Sequence, residues 1–322
     1  MTDGFPRLLG DIGGTHARWA WQAAAGAALE DVMVLADASC DSLYASAMAY
    51  LERSGHAHPR SAGIGIATVV TGDKVRMTNH PWSFSIAELK RSLGVERCLV
   101  INDFTALAMS LPALQASDLR AIGGGAAVAG APIGLLGPGT GLGVSGLTPC
   151  GVGGWLPLSG EGGHVTLAAS SDSEAALLAW LRTRLGHVSA ERVLSGNGLV
   201  NLYQAVCAIA GATTRTLTPV QISAAALDGS DAQCAAAVSQ FVAFLGNVAG
   251  NLALTLGARG GVFIGGGIVP RLGAAFDAAL FRRHFESKGR FGAYLAAIPT
   301  SVIVAPAPAL LGAARALDLM PA

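Results

Sequence analysis

A chain of 322 residues is too long for one small core and suits two domains or one large α/β unit. It is 52% hydrophobic but only 6% aromatic and holds 43 glycines, a composition for buried aliphatic strands, small-residue helix packing and many turns. Its 21 basic residues balance 21 acidic ones, which leaves no electrostatic case for binding nucleic acid or an anionic membrane surface.

Five scattered cysteines (Cys40, Cys98, Cys150, Cys207 and Cys234) argue against a disulfide framework and against a cysteine-rich zinc site. They are expected as buried small apolar residues in a reducing compartment. The opening MTDGFPRLLG has no basic stretch followed by an apolar run, so no signal peptide and a cytoplasmic protein are expected.

Residues 7–21 read as strand, glycine turn, strand. Residues 63–79 repeat that design, with GIGIATVV, a TGDK turn and VRMTN. CLVIND (98–103) is a short apolar strand with polar residues at its end, and FTALAMSLPAL then takes up helical periodicity. This alternation predicts an α/β fold with a largely parallel sheet. After a Gly/Ala-rich link, residues 133–147 again read strand, glycine turn, strand, a hint of duplicated architecture. Residues 173–212 read as helix with a break at GHVSAERVLSGNG, and 219–258 as helix again. GGVFIGGG (260–267) is a buried strand running into a glycine turn, IVPRL opens a helix, and 301–317 form a last strand and helix.

Two uncharged stretches bear on the membrane question. Glycines and prolines interrupt residues 121–160 every few positions. Residues 232–258 carry Gln233, Gln240, Asn247 and Asn251 among small residues, which fits a buried helix between two domains better than a spanning one.

Five segments carry residues suited to chemistry. In Asp11-Ile12-Gly13-Gly14-Thr15 the glycines let backbone N–H groups approach an anion, Asp11 can hold a hydrated Mg²⁺, and Thr15 offers a hydroxyl to a phosphate. Gly137-Pro138-Gly139-Thr140-Gly141 is a second candidate phosphate loop, without the lysine of a Walker loop or the downstream acid of a dinucleotide fingerprint. Both segments also suit plain β-hairpin turns. Gly265-Gly266 follows a strand and precedes a helix, where a nucleotide can lie against backbone or where a simple connection can run. Asn102-Asp103 ends a buried strand, where open α/β sheets place ligands; Asp103 reads as a base for an attacking alcohol or as a helix N-cap. Glu161-Gly162-Gly163-His164 puts an acid and an imidazole on one turn, suited to a polyhydroxylated ligand or to solvent.

Taken in order, DIGGT, TGDxxxMTN, INDF, GPGTGLG, GEGGH, ERVLSGxGLVNLY, GGVFIGGGIVPR and KGRF resemble the bacterial glucokinases of the hexokinase/actin-like ATPase superfamily, from about Leu8 to Gly312. The resemblance implies a two-domain α/β fold of the ribonuclease H-like, actin-like ATPase type, with a cleft between a small domain (1–112 plus 300–322) and a large one (113–299). It implies ATP and Mg²⁺, glucose as acceptor, and a homodimer. Carried over by position, Asp11, Gly13, Gly14 and Thr15 form the first phosphate loop and Gly137, Gly139, Thr140 and Gly141 the second. Gly265 and Gly266 border the adenosine. Asn102, Asp103, Glu161, His164 and Glu191 hold sugar hydroxyls, with Asp103 the base. Three positions depart from the family pattern: His16 stands for Asn, ATVVTGD (67–73) lacks the usual Cys-Pro or Gly-Pro, and Asn197 stands for Pro. A kinase for another hexose and a non-catalytic sugar sensor are the rival readings. Against them stand the missing cysteine-rich motif after the GxxGH segment and a first phosphate loop that begins too early for an N-terminal DNA-binding helix pair.

Overall fold

The computed structural model describes residues 4–151 and 153–320. The chain divides into two compact units, one reaching to Gln115 and resuming at Ala305, the other spanning Ala116–Val304.

In the first unit, β1 (Arg7–Ile12), β2 (His16–Gln22) and β3 (Glu30–Ala36) form an antiparallel meander. Ser42 caps α1 (Leu43–Ser54) by accepting from the Ala45 N–H at 3.1 Å, and Gly55 ends it in the left-handed region. β4 (Ser61–Ile66) pairs in parallel with β1, and a separate two-stranded ribbon follows, β5 (Lys74–Arg76) against β6 (Ser83–Ser85). The hairpin expected over residues 63–79 is therefore corrected. β4 is buried along its whole length, so it takes a parallel neighbour on each side, and β5 is left to pair with β6. After α2 (Ile86–Leu93), β7 (Arg97–Asn102) completes the sheet order β3-β2-β1-β4-β7 and runs into α3 (Asp103–Ser110). Leu8, Trp19, Tyr50 and Ile64 form the core on one face. On the other face the C-terminal helix Pro308–Asp318 packs against α3, with Arg7 bonded to the Ala314 carbonyl at 3.1 Å and paired with Asp318 at 2.6 Å.

The second unit repeats this plan. β8 (Leu119–Gly123) comes first and is an edge strand; β9 (Ile133–Pro138), β10 (Leu142–Cys150) and β11 (Gly154–Ser159) then form a second antiparallel meander. Next come α4 (Asp172–Leu185), α5 (Gly196–Ile209), α6 (Pro219–Leu227) and α7 (Ala232–Leu256). β12 (Val262–Ile264) is parallel to β9; α8 (Ile268–Leu272), α9 (Ala278–Glu286) and α10 (Gly292–Ala296) lead to β13 (Thr300–Ile303), parallel to β12. The order β11-β10-β9-β12-β13 reproduces that of the first sheet, a meander followed by two parallel strands, so the duplication hinted at by the two glycine hairpins is real; β8 adds an antiparallel edge.

α7 is long and apolar enough to cross a membrane, yet 72% of its apolar window is buried. It packs within the second unit against α5, α6 and α9, with Phe241, Phe244 and Leu245 fully buried. Its buried Asn247 donates to the Ala168 carbonyl at 3.2 Å and to Ser170 Oγ at 2.8 Å. All five cysteines are free; Cys98, Cys207 and Cys234 are buried as expected, but Cys40 is half-buried and Cys150 exposed.

Candidate active site

In the first unit the site residues stand at the C-terminal ends of three parallel strands. Ile12, Ile66 and Asn102 lie abreast in the register of β1, β4 and β7. Asn102, not Asp103, is the N-cap of α3: its Oδ1 accepts from the Phe104 N–H at 2.9 Å and the Thr105 N–H at 3.1 Å. Relieved of capping, Asp103 is the first residue of the helix. Its Oδ1 accepts from the Phe104 N–H at 2.9 Å and from Asn102 Nδ2 at 3.0 Å. Asn102 Nδ2 also donates to the Thr68 carbonyl at 3.4 Å. Gly65, on the strand between the two acids, lets α3 close in, because a Cβ there would sit 2.9 Å from Ala106 Cβ and 3.5 Å from Asp103 Cα.

Burial pushes the Asp103 carboxyl up to about 6, and the negative charge of Asp11 adds to this; the hydrogen bonds from Phe104 and Asn102 oppose it. Asp11 is itself raised by burial, against the pull of Arg18, whose Nη1 lies 3.3 Å from Asp11 Oδ2. Two carboxyls with mutual repulsion, at the ends of β1 and β7 with β4 between them, are a place for a base and for a cation.

The Gly13-Gly14-Thr15 turn is closed by the Gly13 N–H donating to the His16 carbonyl at 3.0 Å. Thr15 is exposed and its Oγ1 lies 2.9 Å from His16 Nδ1. Gly14 backs onto Asn79, with a virtual Cβ 3.3 Å from Asn79 Cβ. Asn79 in turn lines an open groove of about 630 Å³ with Arg76, Thr78 and His80. Thr68, in the segment that departs from the family pattern, is buried and its Oγ1 donates to the Arg76 carbonyl at 3.0 Å, which fixes the strand end that holds Asn102.

In the second unit the Gly139-Thr140-Gly141 turn joins β9 to β10, with Leu142 opposite Pro138. The Gly139 N–H donates to the Gly141 carbonyl at 2.8 Å, and the Gly139 carbonyl accepts from the Gly196 N–H at 2.9 Å, which ties the turn to the start of α5. Glu191 reaches the same turn: its Oε2 accepts from the Leu142 N–H at 2.9 Å, directly over Gly141, where a side chain would displace it. The Glu191 N–H donates to the Gly163 carbonyl at 2.9 Å. Glu191 therefore joins the second glycine turn to the turn carrying Glu161 and His164. Those two are exposed, with Glu161 Oε2 and His164 Nε2 3.9 Å apart. Gly265 and Gly266 follow β12 beside the same loop. The Gly265 N–H donates to the Leu136 carbonyl at 2.9 Å, and Gly266 has φ +78° with its α-carbon against the Pro138 carbonyl. Gly137, Pro138 and Gly266 thus form one backbone ledge.

The structure brings together within the first unit Asp11, Gly13, Gly14, Thr15, Asn102 and Asp103, and within the second Gly137, Gly139, Thr140, Gly141, Glu161, His164, Glu191, Gly265 and Gly266. Sequence reasoning missed Arg18 and Thr68. Arg18 was within reach, since closing the hairpin on Gly13-Gly14-Thr15 places it opposite Asp11. The tie from Glu191 to Leu142 had no sequence signal.

The family model described as Glucokinase matches residues 8–320. The chain is 57% identical to a glucokinase of Aromatoleum aromaticum, covering 98% of this chain and 96% of that protein. It is 50% identical to a glucokinase of Chromobacterium violaceum, covering 98% and 90%. Among solved structures, a glucokinase from an Antarctic psychrotroph superposes with a TM-score of 0.89 at 37% identity, over 98% of this chain and 99% of that one.

Proposed function

We propose, because the chain belongs to the glucokinase family, that Asp103 is the general base of its reaction. The protein has the actin-like ATPase fold and is an ATP-dependent hexose kinase that moves the γ-phosphoryl group of ATP to the 6-hydroxyl of glucose. The observation that supports Asp103 most is its carboxyl: freed from capping by Asn102, half-buried, pushed up to about 6 and still ionised at neutral pH. Such a group can take the proton of the hydroxyl as its oxygen attacks phosphorus, whereas an ordinary carboxylate is a weaker base.

In this reading Asn102 orients Asp103, and Asn102, Glu161, His164 and Glu191 hold the remaining sugar hydroxyls. A sugar lacking one hydroxyl would leave a polar group unpaired, which favours glucose over other hexoses. The backbone N–H groups of Gly14 and Gly141, with the Thr15 and Thr140 hydroxyls, meet phosphate oxygens, while the N–H groups of Gly13 and Gly139 hold the two turns closed. Gly265 and Gly266 give the nucleoside a surface without side chains. The Asp11 carboxylate, at a point where two carboxyls repel, suits a hydrated Mg²⁺, which binds through one or two carboxylates plus water and phosphate. When bound, that ion supplies charge neutralisation on the phosphates. The two units correspond to the small and large domains of such a kinase. A cytoplasmic homodimer belongs to the same proposal and rests on the family.

ADP release with a panel of sugars and phosphoryl donors tests the whole reading. Release that depends on glucose and ATP is expected. Equal rates with sugars lacking one hydroxyl would contradict the assignment of Glu161, His164 and Glu191.

A further inference from the structure

Asn247 is an amide with 3% exposure on the core helix α7. Its Nδ2 donates to the Ala168 carbonyl at 3.2 Å and to Ser170 Oγ at 2.8 Å, and its Oδ1 accepts from Lys288 Nζ. Lys288 opens the KGRF segment just beyond the end of α9. Two glycines of α7 let it arrive there. A Cβ at Gly246 would strike the Phe281 carbonyl and lie 3.0 Å from His284 Cβ; one at Gly250 would strike the Phe285 carbonyl and lie 3.1 Å from Lys288 Cε. Without those side chains α9 closes onto α7 and delivers the lysine to Asn247. Glu174, 1% exposed in the first turn of α4, acts on the same stretch of chain. Its Oε2 accepts from the Ser170 N–H at 2.5 Å, and its Oε1 lies 3.5 Å from His284 Nδ1. Burial pushes the Lys288 amino group down, and the negative charge of Glu174 opposes this.

The stretch held in this way continues the turn of Glu161 and His164. From His164 to Ser170 every residue except Leu167 is exposed, so this strap has little packing of its own to fix it. Its near half is laced to residues 188–191. The Glu191 N–H donates to the Gly163 carbonyl at 2.9 Å, the Ala190 N–H to the Val165 carbonyl at 2.9 Å and the Leu167 N–H to the Val188 carbonyl at 3.0 Å. Its far half is fixed by Asn247 and Glu174. We infer that Asn247, braced by Lys288, is a positioning residue for sugar binding: it moors the strap at Ala168 and Ser170 and so holds the turn of Glu161 and His164 in place. An amide suits this task, because two donors on one nitrogen reach a carbonyl and a hydroxyl at once. The lysine settles which way round the amide lies, since an ammonium can only donate and so calls for the oxygen. Cutting the mooring hands the Ala168 carbonyl and the Ser170 hydroxyl to water at little cost, because both residues are exposed, but it frees the turn to move. The Glu191 carboxylate has its own tie to the Leu142 N–H, so the second glycine turn stays fixed.

The inference rests on the reading that Glu161 and His164 hold sugar hydroxyls, and the experiment separates the two. Steady-state kinetics and denaturant unfolding of the enzyme compare His164→Ala, Lys288→Met, Asn247→Leu and the double variant of the last two. Leucine at 247 keeps the volume and removes both donors; methionine at 288 keeps the stem over Gly250 and removes the charge. Asn247→Leu is expected to raise KM for glucose about three- to tenfold, the worth of one hydrogen bond, with KM for ATP near that of the parent. Lys288→Met should raise KM for glucose about two- to threefold, since the amide loses its brace but keeps its donors. The double variant tells positioning from packing. It leaves neither a buried ammonium nor a buried amide unpaired, so it should recover stability lost in Asn247→Leu. Its KM for glucose should stay raised, because the mooring is still absent. A KM for glucose that returns to the parental value in the double variant, a joint rise of both KM values, or an unchanged KM for glucose in either single variant would overturn the inference. Should Asn247→Leu fail to fold, Lys288→Met decides by the same criterion. If His164→Ala leaves KM for glucose untouched, the sugar assignment falls and the inference falls with it. An effective His164→Ala beside a silent Asn247→Leu overturns the inference alone.

Discussion

Replacing Asp103 by Asn should make the enzyme both inactive and more stable, and the pH dependence of the second effect identifies its cause. The substitution is close to isosteric. An amide oxygen at the position of Oδ1 can still accept from the Phe104 N–H and from Asn102 Nδ2, so α3 keeps its start. What disappears is a carboxylate whose folded-state value is about 6 against an ordinary 3.8. Because the folded value is raised, the neutral acid is the form the fold prefers. The stability it carries is fully present below about pH 4 and is lost as pH rises through 6. At pH 7 the parent therefore bears a penalty on the order of 2–3 kcal/mol that Asp103→Asn does not. Urea titrations of both proteins at pH 4, 5, 6 and 7 should show curves that coincide at the acid end and separate between pH 4 and 6, with the variant the more stable. A general base worth ~10²–10⁴ in rate should vanish from kcat in the same variant. The parent's kcat/KM should fall about tenfold per pH unit below 6, as the base takes up its proton. A variant that keeps kcat within tenfold of the parent while folded, or a stability gap of equal size at pH 4 and pH 7, would refute the reasoning.

Asp11→Asn removes the carboxylate assigned to the hydrated cation, so the Mg²⁺ concentration giving half-maximal rate should rise several-fold in a metal titration at fixed ATP. Gly266→Ala forces a side chain into a backbone at φ +78° and against the Pro138 carbonyl. A loss of ~1–3 kcal/mol in denaturant unfolding and a raised KM for ATP are expected. Glu191→Ala cuts the bond to the Leu142 N–H and should raise KM for ATP and glucose together. Glu191→Gln keeps an acceptor for that N–H, so kinetics should show a near-parental KM for ATP beside a weakened one for glucose.

Local signals in the sequence determined the strands that are bounded by glycine turns and the helices that begin after them. Residues 7–22 and 133–150 close into hairpins because a tight turn between two apolar runs leaves the backbone no better hydrogen-bonding partner than itself. The order of the motifs also set the candidate residues: those of the glycine turns and Asn102-Asp103 lie at strand ends, while Glu161, His164 and Glu191 lie outside any strand. Three matters were decided by tertiary structure. Residues 63–79 resemble the other hairpins locally, but full burial of β4 required parallel neighbours from β1 and β7, whose partner residues lie 54 positions before it and 36 after it (Arg7 and Arg97 opposite Ser61), with no local cue. The long apolar stretch at 232–256 is a core helix because α5, α6 and α9 cover it, a fact that composition alone cannot distinguish from a membrane span. The state of Asp103 was the third. Sequence left it between helix cap and base. Packing gave the cap to Asn102, withdrew water from Asp103 and set Asp11 near it, and a carboxyl's proton affinity is fixed by those surroundings rather than by the residue itself.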